Sequence, residues 1–150
     1  MPHSLSHMLV HLIFSTKDRE KIIRPEVREE LHRYLAGIAK NHDSPALIIQ
    51  SVDDHVHLLL LLSKNIALAK LVEELKTGSS KWIKTRGPDY QHFHWQSGYG
   101  AFSVSQSNAK AVSEYIRAQE THHARTSFEE ELRQFLAKHG IAVDEKHLWD

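Results

Sequence analysis

Residues 53–62 read Asp-Asp-His-Val-His-Leu-Leu-Leu-Leu-Leu, a short apolar run that is entered through two histidines. A bounded run of aliphatic residues between two acids and a Ser-Lys-Asn segment is typical of a buried strand. Residues two apart in a strand share a face, so His55 and His57 point the same way, while Val56 and the alternate leucines take the opposite face. The stretch therefore predicts a strand that is anchored in a core by one face and presents two imidazoles on the other.

The paired imidazoles of this strand are half of a metal site. Imidazole is the commonest protein ligand for divalent transition metals, and two such ligands leave positions for a third protein group and for substrate oxygens. A His-x-His triplet alone is a weak signal in a chain with 13 histidines, and a second triplet, His92-Phe93-His94, precedes a tryptophan and a glycine-rich stretch. We interpret the first triplet as the candidate metal site and favour no metal-binding role for the second.

The composition limits the class of protein. With 150 residues, of which 41% are apolar and 25% charged, the chain is typical of a globular protein with one core, so we predict a single domain over residues 1–150. The absence of cysteine excludes a disulfide framework, a thiolate metal site and a zinc finger. The first residues lack the pattern of a signal peptide, and the leucine run is too short to span a bilayer. We expect a cytoplasmic protein with no membrane partner.

The charge is balanced overall but uneven along the chain. The formal net charge is zero, yet residues 64–86 carry six lysines and arginines against two acids, and residues 120–150 carry seven acids against four bases. A basic central segment is compatible with a local anionic ligand, although a solvated helix face explains the same charges.

Hydrophobic periodicity predicts four strands and four helices. The strands cover residues 7–15, 46–52, 55–62 and the second half of 93–105. The helices cover residues 25–41, 65–87, 107–123 and 127–140, with Pro25 in a first turn, Asn65 and Ser107 or Asn108 as N-caps, capping-box spacing from Ser127 to Glu130, and Gly87-Pro88 and Gly140 as stops.

The order of these elements is β-α-β-β-α-β followed by two helices, the first of which carries a tyrosine. This is the ferredoxin-like (RRM-like) α+β pattern, an antiparallel sheet whose first and third strands lie in the middle and whose two helices cover one face. The histidine strand is the third and hence central. If its aliphatic face packs on the two helices, its histidines face the open side of the sheet, and something must cover or bind that side.

The first added helix supplies a candidate nucleophile. Tyr115 and Gln119 lie four residues apart on one face, with His122 on the same stripe. A phenol with a pKa of about 10 is a poor nucleophile, so an enzyme that uses one polarises the electrophile, for example with a divalent metal on a phosphate oxygen. Gln119 would give the metal a neutral oxygen, and Tyr115 would attack phosphorus, expel a 3′ hydroxyl and leave a 5′ phosphotyrosine. The alternative is an ordinary packing tyrosine.

His55-Val56-His57 followed by Tyr115-Ile-Arg-Ala-Gln119 resembles the single-tyrosine HUH transposases of the smallest insertion sequences, which move as single-stranded DNA. The similarity covers most of the chain and includes His11-Leu-Ile-Phe-Ser-Thr-Lys17-Asp-Arg19, Lys81-Trp82-Ile83-Lys84, Trp95-Gln-Ser-Gly98-Tyr99-Gly100-Ala-Phe102-Ser103-Val104, Gln119-Glu-Thr-His122-His123, Ser127-Phe128 and Leu148-Trp149.

The resemblance implies a DNA transposase that cleaves and rejoins DNA ends and recognises DNA hairpins. It implies Mg²⁺ or Mn²⁺ held by His55, His57 and Gln119, with no nucleotide cofactor, and a homodimer whose sites pair the histidines of one subunit with the tyrosine helix of the other. Such a dimer would also cover the open sheet face. Candidate DNA contacts, for which solvated surface residues are the alternative, are Lys17, Arg19, Lys81 and Lys84. His122 is a candidate for orienting a ligand or the phosphate, and for His11 a site role and a packing role both stay open.

Three other interpretations are compatible with the same residues. An HUH replication initiator or plasmid relaxase typically carries a lysine after its tyrosine, where this chain has Gln119. A domesticated relative of the transposases would cut chromosomal hairpin repeats without moving its own gene. A non-catalytic RRM-like single-strand binder would have exposed aromatic residues on its strands, where this chain has histidines.

Overall fold

The computed structural model describes residues 3–123 and 126–144, and the predicted Leu148-Trp149 motif lies outside these residues. Four antiparallel strands form one sheet in the order β2-β3-β1-β4. They are β1 (Met8–Ser15), β2 (Ala46–Ser51), β3 (His55–Leu62) and β4 (Gly100–Val104). The first and third strands lie in the middle, and this confirms the predicted α+β, RRM-like sheet with the histidine strand at its centre.

Among the described residues, five α-helices accompany the sheet. They are α1 (Pro25–Asn41), α2 (Leu68–Ile83), α3 (Ala109–Arg117), α4 (Gln119–His123) and α5 (Phe128–Lys138). The predicted cap at Asn65 is wrong, because α2 begins at Leu68 and its N-cap is Ala67. The predicted cap at Ser127 is confirmed, since its hydroxyl accepts a hydrogen bond from the Glu130 amide at 3.2 Å.

The helix predicted over residues 107–123 is divided in two. Ala118 leaves helical geometry at φ −88° and ψ 13°, so α3 ends there and α4 begins at Gln119. Tyr115 thus lies in α3 and His122 in α4, yet the tyrosine hydroxyl and His122 Nε2 remain 3.1 Å apart. The break therefore preserves the stripe that the spacing predicts.

The main core lies between one sheet face and α1 and α2. The alternate residues of β3, Val56, Leu58 and Leu60, are fully buried there, as the periodicity of the strand predicts. Helix α1 contributes Leu31 and Leu35 to the same cluster. Each fully buried side chain of this kind stabilises the fold by about 1.5–3 kcal/mol, so this face anchors the sheet.

The other sheet face is covered by the C-terminal helices of the same chain. Leu59 packs with Ile116 of α3, and Ile13 packs with Phe128 and Leu136 of α5. In this structure α3, α4 and α5 of the same chain cover the face that the sequence leaves open. In the segments described, we find no helix that is both long enough and apolar enough to cross a membrane.

Candidate active site

Four potential metal ligands converge between β3 and the C-terminal helices. They are His55 and His57 from β3, His123 from α4 and Glu131 from α5, and their ligand atoms all lie within 4.8 Å of one another. Both β3 histidines and Glu131 are fully buried. We call this group the histidine–glutamate cluster. It lies on the open face where the sequence places the imidazole pair.

The two β3 histidines are held through their Nδ1 atoms. His55 Nδ1 lies 2.7 Å from Asp54 Oδ1, and His57 Nδ1 lies 2.8 Å from His11 Nε2. In metal sites the second ring nitrogen of a ligating histidine usually has such a partner, which fixes the tautomer and the orientation of the ring. Both Nε2 atoms are left to face the cluster. His11, whose role the sequence left open, therefore orients a candidate ligand from a fully buried position on β1.

Glu131 lies at the centre of the contacts. Its Oε1 atom is 2.9 Å from His57 Nε2, 3.0 Å from His123 Nε2 and 3.4 Å from His55 Nε2. Burial disfavours its charged form, but the hydrogen bonds from the histidines outweigh that penalty and hold the pKa of Glu131 far below its usual range. Glu131 is therefore a carboxylate inside the fold.

The pKa values of the two β3 histidines are shifted in opposite directions. Burial lowers the pKa of His57 to about 4, despite the opposing hydrogen bond and charge of Glu131. At neutral pH this ring is thus uncharged, which is the form that binds a metal. Burial also disfavours the charged form of His55, but hydrogen bonds and charges of Asp54 and Glu131 raise its pKa. Burial and the nearby His57 lower the pKa of His11 to about 3.

The tyrosine reaches the cluster of its own chain. The Tyr115 hydroxyl donates a short hydrogen bond to Glu131 Oε2, and its ring centroid lies 6.1 Å from that of His57. His122 Nε2 lies 3.1 Å from the hydroxyl and 3.5 Å from the same carboxylate oxygen. Burial and then Glu131 raise the pKa of Tyr115 well above its usual value, so the phenol keeps its proton. The structure thus brings together the predicted nucleophile, the predicted ligand pair and His122.

Gln119 presents the buried polar atoms that are expected of a metal ligand. Its side chain is fully buried, and its Oε1 atom has no hydrogen-bond partner among the described residues. Its Nε2 atom makes a long contact of 3.4 Å to the Tyr115 carbonyl. Leaving a buried acceptor unpaired costs about 1–3 kcal/mol, so the fold retains this oxygen at a cost. Imidazole nitrogens with amide and carboxylate oxygens suit a divalent cation, and the residues present therefore fit one.

Sequence reasoning missed His123 and Glu131 as members of the cluster. For Glu131 a signal was present, because it lies three residues after Phe128 and five before Leu136, on the buried stripe of α5. An acid on an apolar helix stripe is rarely buried unless it is paired, and such a position is a hint of function. His123 offered no comparable signal beyond its adjacency to His122.

The four candidate DNA contacts are distributed over two sides of the sheet. Lys81 and Lys84 belong to α2 and its continuation, on the face opposite the cluster, and Lys84 Nζ donates to Ser80 Oγ at 2.7 Å and to the Phe93 carbonyl at 2.9 Å. Lys17 is exposed at the end of β1. Arg19 forms an ion pair with Glu129. None of the four belongs to the cluster.

A cleft of about 430 Å³ opens beside the cluster. Arg19, Asp54, His123 and Phe128 are among the residues that line it. Arg19 adopts a left-handed conformation at φ 54°, directly after Asp18 at φ 56°, in a turn that leads away from β1. Left-handed non-glycine residues are strained and occur often at functional sites. The cleft gives a ligand access to His123, and the turn places a guanidinium on its wall.

The second histidine triplet lies elsewhere. His92 and His94 are both exposed, and His92 Nε2 contacts the exposed Glu20 at 3.1 Å. Neither residue belongs to the histidine–glutamate cluster.

The amino-acid sequence is similar to the sequences of known transposases. The sequence model of the IS200-like transposases matches residues 4–119. The ISDra2 transposase TnpA of Deinococcus radiodurans is 27% identical over 114 residues, which cover 73% of this chain and 81% of that protein.

Two solved structures are also similar. A candidate transposase from Deinococcus radiodurans R1 has a TM-score of 0.61 at 25% identity and covers 77% of this chain and 93% of its own. A REP-associated tyrosine transposase bound to a REP hairpin has a TM-score of 0.59 and covers 83% of this chain and 74% of its own. At 9% identity the second likeness is one of fold.

Proposed function

The chain belongs to the IS200-like transposases, a family of DNA strand-transfer enzymes, and from that premise we propose that it cleaves and rejoins single-stranded DNA through a covalent bond to Tyr115. In this proposal residues 1–150 act as one catalytic domain on DNA ends in the cytoplasm. The observation that carries the proposal is the position of the Tyr115 hydroxyl, which lies at the buried group formed by His55, His57 and Glu131. A tyrosine that served only to pack would not need its hydroxyl among metal ligands.

Mg²⁺ or Mn²⁺ would be held by Nε2 of His55, Nε2 of His57 and the unpaired Oε1 of Gln119. When bound, such an ion polarises a phosphate oxygen and neutralises charge that develops on the phosphoryl group. Support comes from the Nδ1 contacts of both histidines, which turn both Nε2 atoms toward the cluster, and from the buried Gln119 oxygen, which has no hydrogen-bond partner among the described residues. The neutral form of His57 at physiological pH suits this role.

The chain's own residues would carry the covalent steps. Tyr115 Oη loses its proton as it attacks phosphorus and an O–P bond forms; the bond from phosphorus to the 3′ oxygen breaks, and that oxygen takes up a proton, which leaves a 3′ hydroxyl and a 5′ phosphotyrosine with no net change in protons. His122 holds the phenol in line through the contact of 3.1 Å. A 3′ hydroxyl of another DNA end then attacks the phosphotyrosine and releases Tyr115. One phosphoester is exchanged for another, so rejoining requires no nucleotide cofactor.

The proposed substrate is single-stranded DNA that carries hairpins near the ends of the element. A protein with this fold has been solved with a DNA hairpin, and this motivates the choice of substrate. Arg19 on the wall of the cleft and the exposed Lys17 next to it are the proposed contacts near the cut phosphate. Lys81 and Lys84 would contact DNA only on the far side of the sheet. Binding through such contacts weakens steeply as salt increases.

We also propose a homodimer in which the tyrosine helix of one subunit serves the histidines of the other. One chain already contains every residue of the site, so the exchange of helices is testable by mixing variants. A mixture of His57→Ala and Tyr115→Phe subunits should recover cleavage if the sites form in trans, because one competent site is rebuilt per heterodimer. No recovery would mean that each chain uses its own tyrosine.

The first experiment tests for the covalent intermediate. Labelled single-stranded DNA with a hairpin from the flanks of the gene is incubated with the protein and Mg²⁺ or Mn²⁺, and the products are separated under denaturing conditions. We expect a metal-dependent protein–DNA band that is absent in Tyr115→Phe and present in Tyr34→Phe, a control at a tyrosine that is 40% exposed. Hairpin binding with no adduct in either metal would reject the transposase mechanism and favour a binding module.

A further inference from the structure

Glu131 is a buried acidic residue of the histidine–glutamate cluster that the proposed function does not use. It lies on α5, its side chain is 1% exposed, and it is separated from the histidine strand by more than seventy residues of sequence. A carboxylate without partners could not remain ionised in such a position, because its desolvation costs many kcal/mol. Its partners therefore define its role.

The distances around Glu131 Oε1 match those between neighbouring ligands of one ion. A hard divalent cation binds oxygen and nitrogen at about 2.1 Å in octahedral geometry, so adjacent donors lie about 3 Å apart. The contacts of Oε1 with Nε2 of His57 and His123 are 2.9 and 3.0 Å, and Nε2 of His55 and Nε2 of His123 are also 3.0 Å apart. Two imidazole nitrogens this close are joined either by a hydrogen atom in an N–H···N hydrogen bond or by a cation.

The two oxygens of the carboxylate have separate partners. Oε1 faces the histidines, whereas Oε2 accepts the hydrogen bond of the Tyr115 hydroxyl and lies 3.5 Å from His122. A carboxylate often uses one oxygen for a cation and the other for a hydrogen bond. Glu131 is therefore placed between the candidate metal ligands and the candidate nucleophile, in contact with both.

We propose that Glu131 is a further protein ligand of the divalent ion through Oε1 and a positioning residue for Tyr115 through Oε2. The inference rests on the proposed function, which names His55, His57 and Gln119 as ligands. Glu131 adds one negative charge to a set of neutral donors, and this charge strengthens the binding of a divalent cation. The proposal also gives α5 a role in the reaction, because Phe128 and Leu136 pack on the sheet and so set the position of the carboxylate.

The first measurement is the affinity of the metal-free protein for Mn²⁺ in the absence of DNA. Binding is monitored by calorimetry or through the electron paramagnetic resonance signal of free Mn²⁺. We expect Glu131→Gln to weaken binding about tenfold or more. Glu130→Gln, an exposed neighbour on the same helix, should stay within about twofold of the wild type.

The binding outcomes separate the two proposals. Loss of binding in His57→Ala together with wild-type binding in Glu131→Gln would overturn the role of Glu131 as a ligand and leave the proposed function intact. No Mn²⁺ binding by the wild type would overturn both. If circular dichroism shows that Glu131→Gln does not fold, Glu131→Asp replaces it: this variant keeps the charge but retracts the oxygens by one methylene, and unchanged binding would again overturn the inference.

The second measurement tests the positioning role. At saturating Mn²⁺ the difference in affinity no longer matters, and the rate of formation of the Tyr115–DNA adduct then reports the placement of the phenol. We expect this rate to remain about tenfold or more below the wild type in Glu131→Gln. Recovery of the wild-type rate at saturating Mn²⁺ would overturn the positioning role.

Discussion

Replacing Gln119 by leucine should stabilise the metal-free protein while it weakens metal binding. Leucine approximates the shape of glutamine without its polar atoms, and the site is fully buried. The substitution removes an oxygen that has no hydrogen-bond partner among the described residues and a long contact of 3.4 Å from Nε2 to the Tyr115 carbonyl. At an ordinary buried glutamine, by contrast, the loss of satisfied hydrogen bonds would destabilise the fold.

The magnitude follows from the two groups that are lost. An unpaired buried acceptor costs about 1–3 kcal/mol, and a hydrogen bond of poor geometry contributes about 0.5 kcal/mol, so the net gain is about 1 kcal/mol. For a chain of this size that raises the midpoint of thermal unfolding by about 2–4 °C. With Mn²⁺ at a hundred times its dissociation constant the wild type should gain about 2.7 kcal/mol, and the variant should gain less.

Urea unfolding, once in a metal chelator and once in Mn²⁺, measures the free energy of unfolding without and with the metal. Gln134→Leu is the control, because Gln134 is exposed on α5 and its replacement should change stability by less than about 0.5 kcal/mol in either condition. A Gln119→Leu protein that is about 1 kcal/mol or more less stable than the wild type in chelator would refute the reasoning, since the amide would then be a satisfied structural group.

Two further predictions concern stability. Burial and then the charge of Arg28 lower the pKa of His32 from 6.5 to about 4, so the fold prefers its neutral ring and loses stability as pH falls below about 6.5. Between about pH 7.5 and 5 the free energy of unfolding should fall by about 1 kcal/mol because of His32, after allowance for its partial exposure. Urea unfolding of His32→Gln should not show this part of the loss. An equal loss in the variant would refute the assignment to His32. Leu59→Ala, which removes a fully buried side chain beneath Ile116, should cost about 2–5 kcal/mol, whereas the control Leu47→Ala, at a residue 54% exposed, should cost less than about 0.5 kcal/mol. A loss below about 1 kcal/mol at Leu59 would mean that α3 does not pack on β3.

The sequence by itself determined which side chains share a face. The alternation along β3 placed His55 and His57 opposite Val56, Leu58 and Leu60, and the structure has this division. The physical reason is that strand periodicity is a local property of the backbone, which tertiary contacts do not alter. Tyr115 and His122 stay in contact across the break at Ala118, with 3.1 Å between the tyrosine hydroxyl and His122 Nε2.

Only the tertiary structure decided what completes the site. His123 and Glu131 meet the histidine strand from 68 and 74 residues away, and no local pattern encodes such distances. Their positions depend on where α4 restarts after Ala118 and on how α5 docks through Phe128 and Leu136. The same docking covers the sheet face that the sequence left open. Side-chain packing between distant elements, and not periodicity, thus set the composition of the site and brought Tyr115 to the histidines of its own chain.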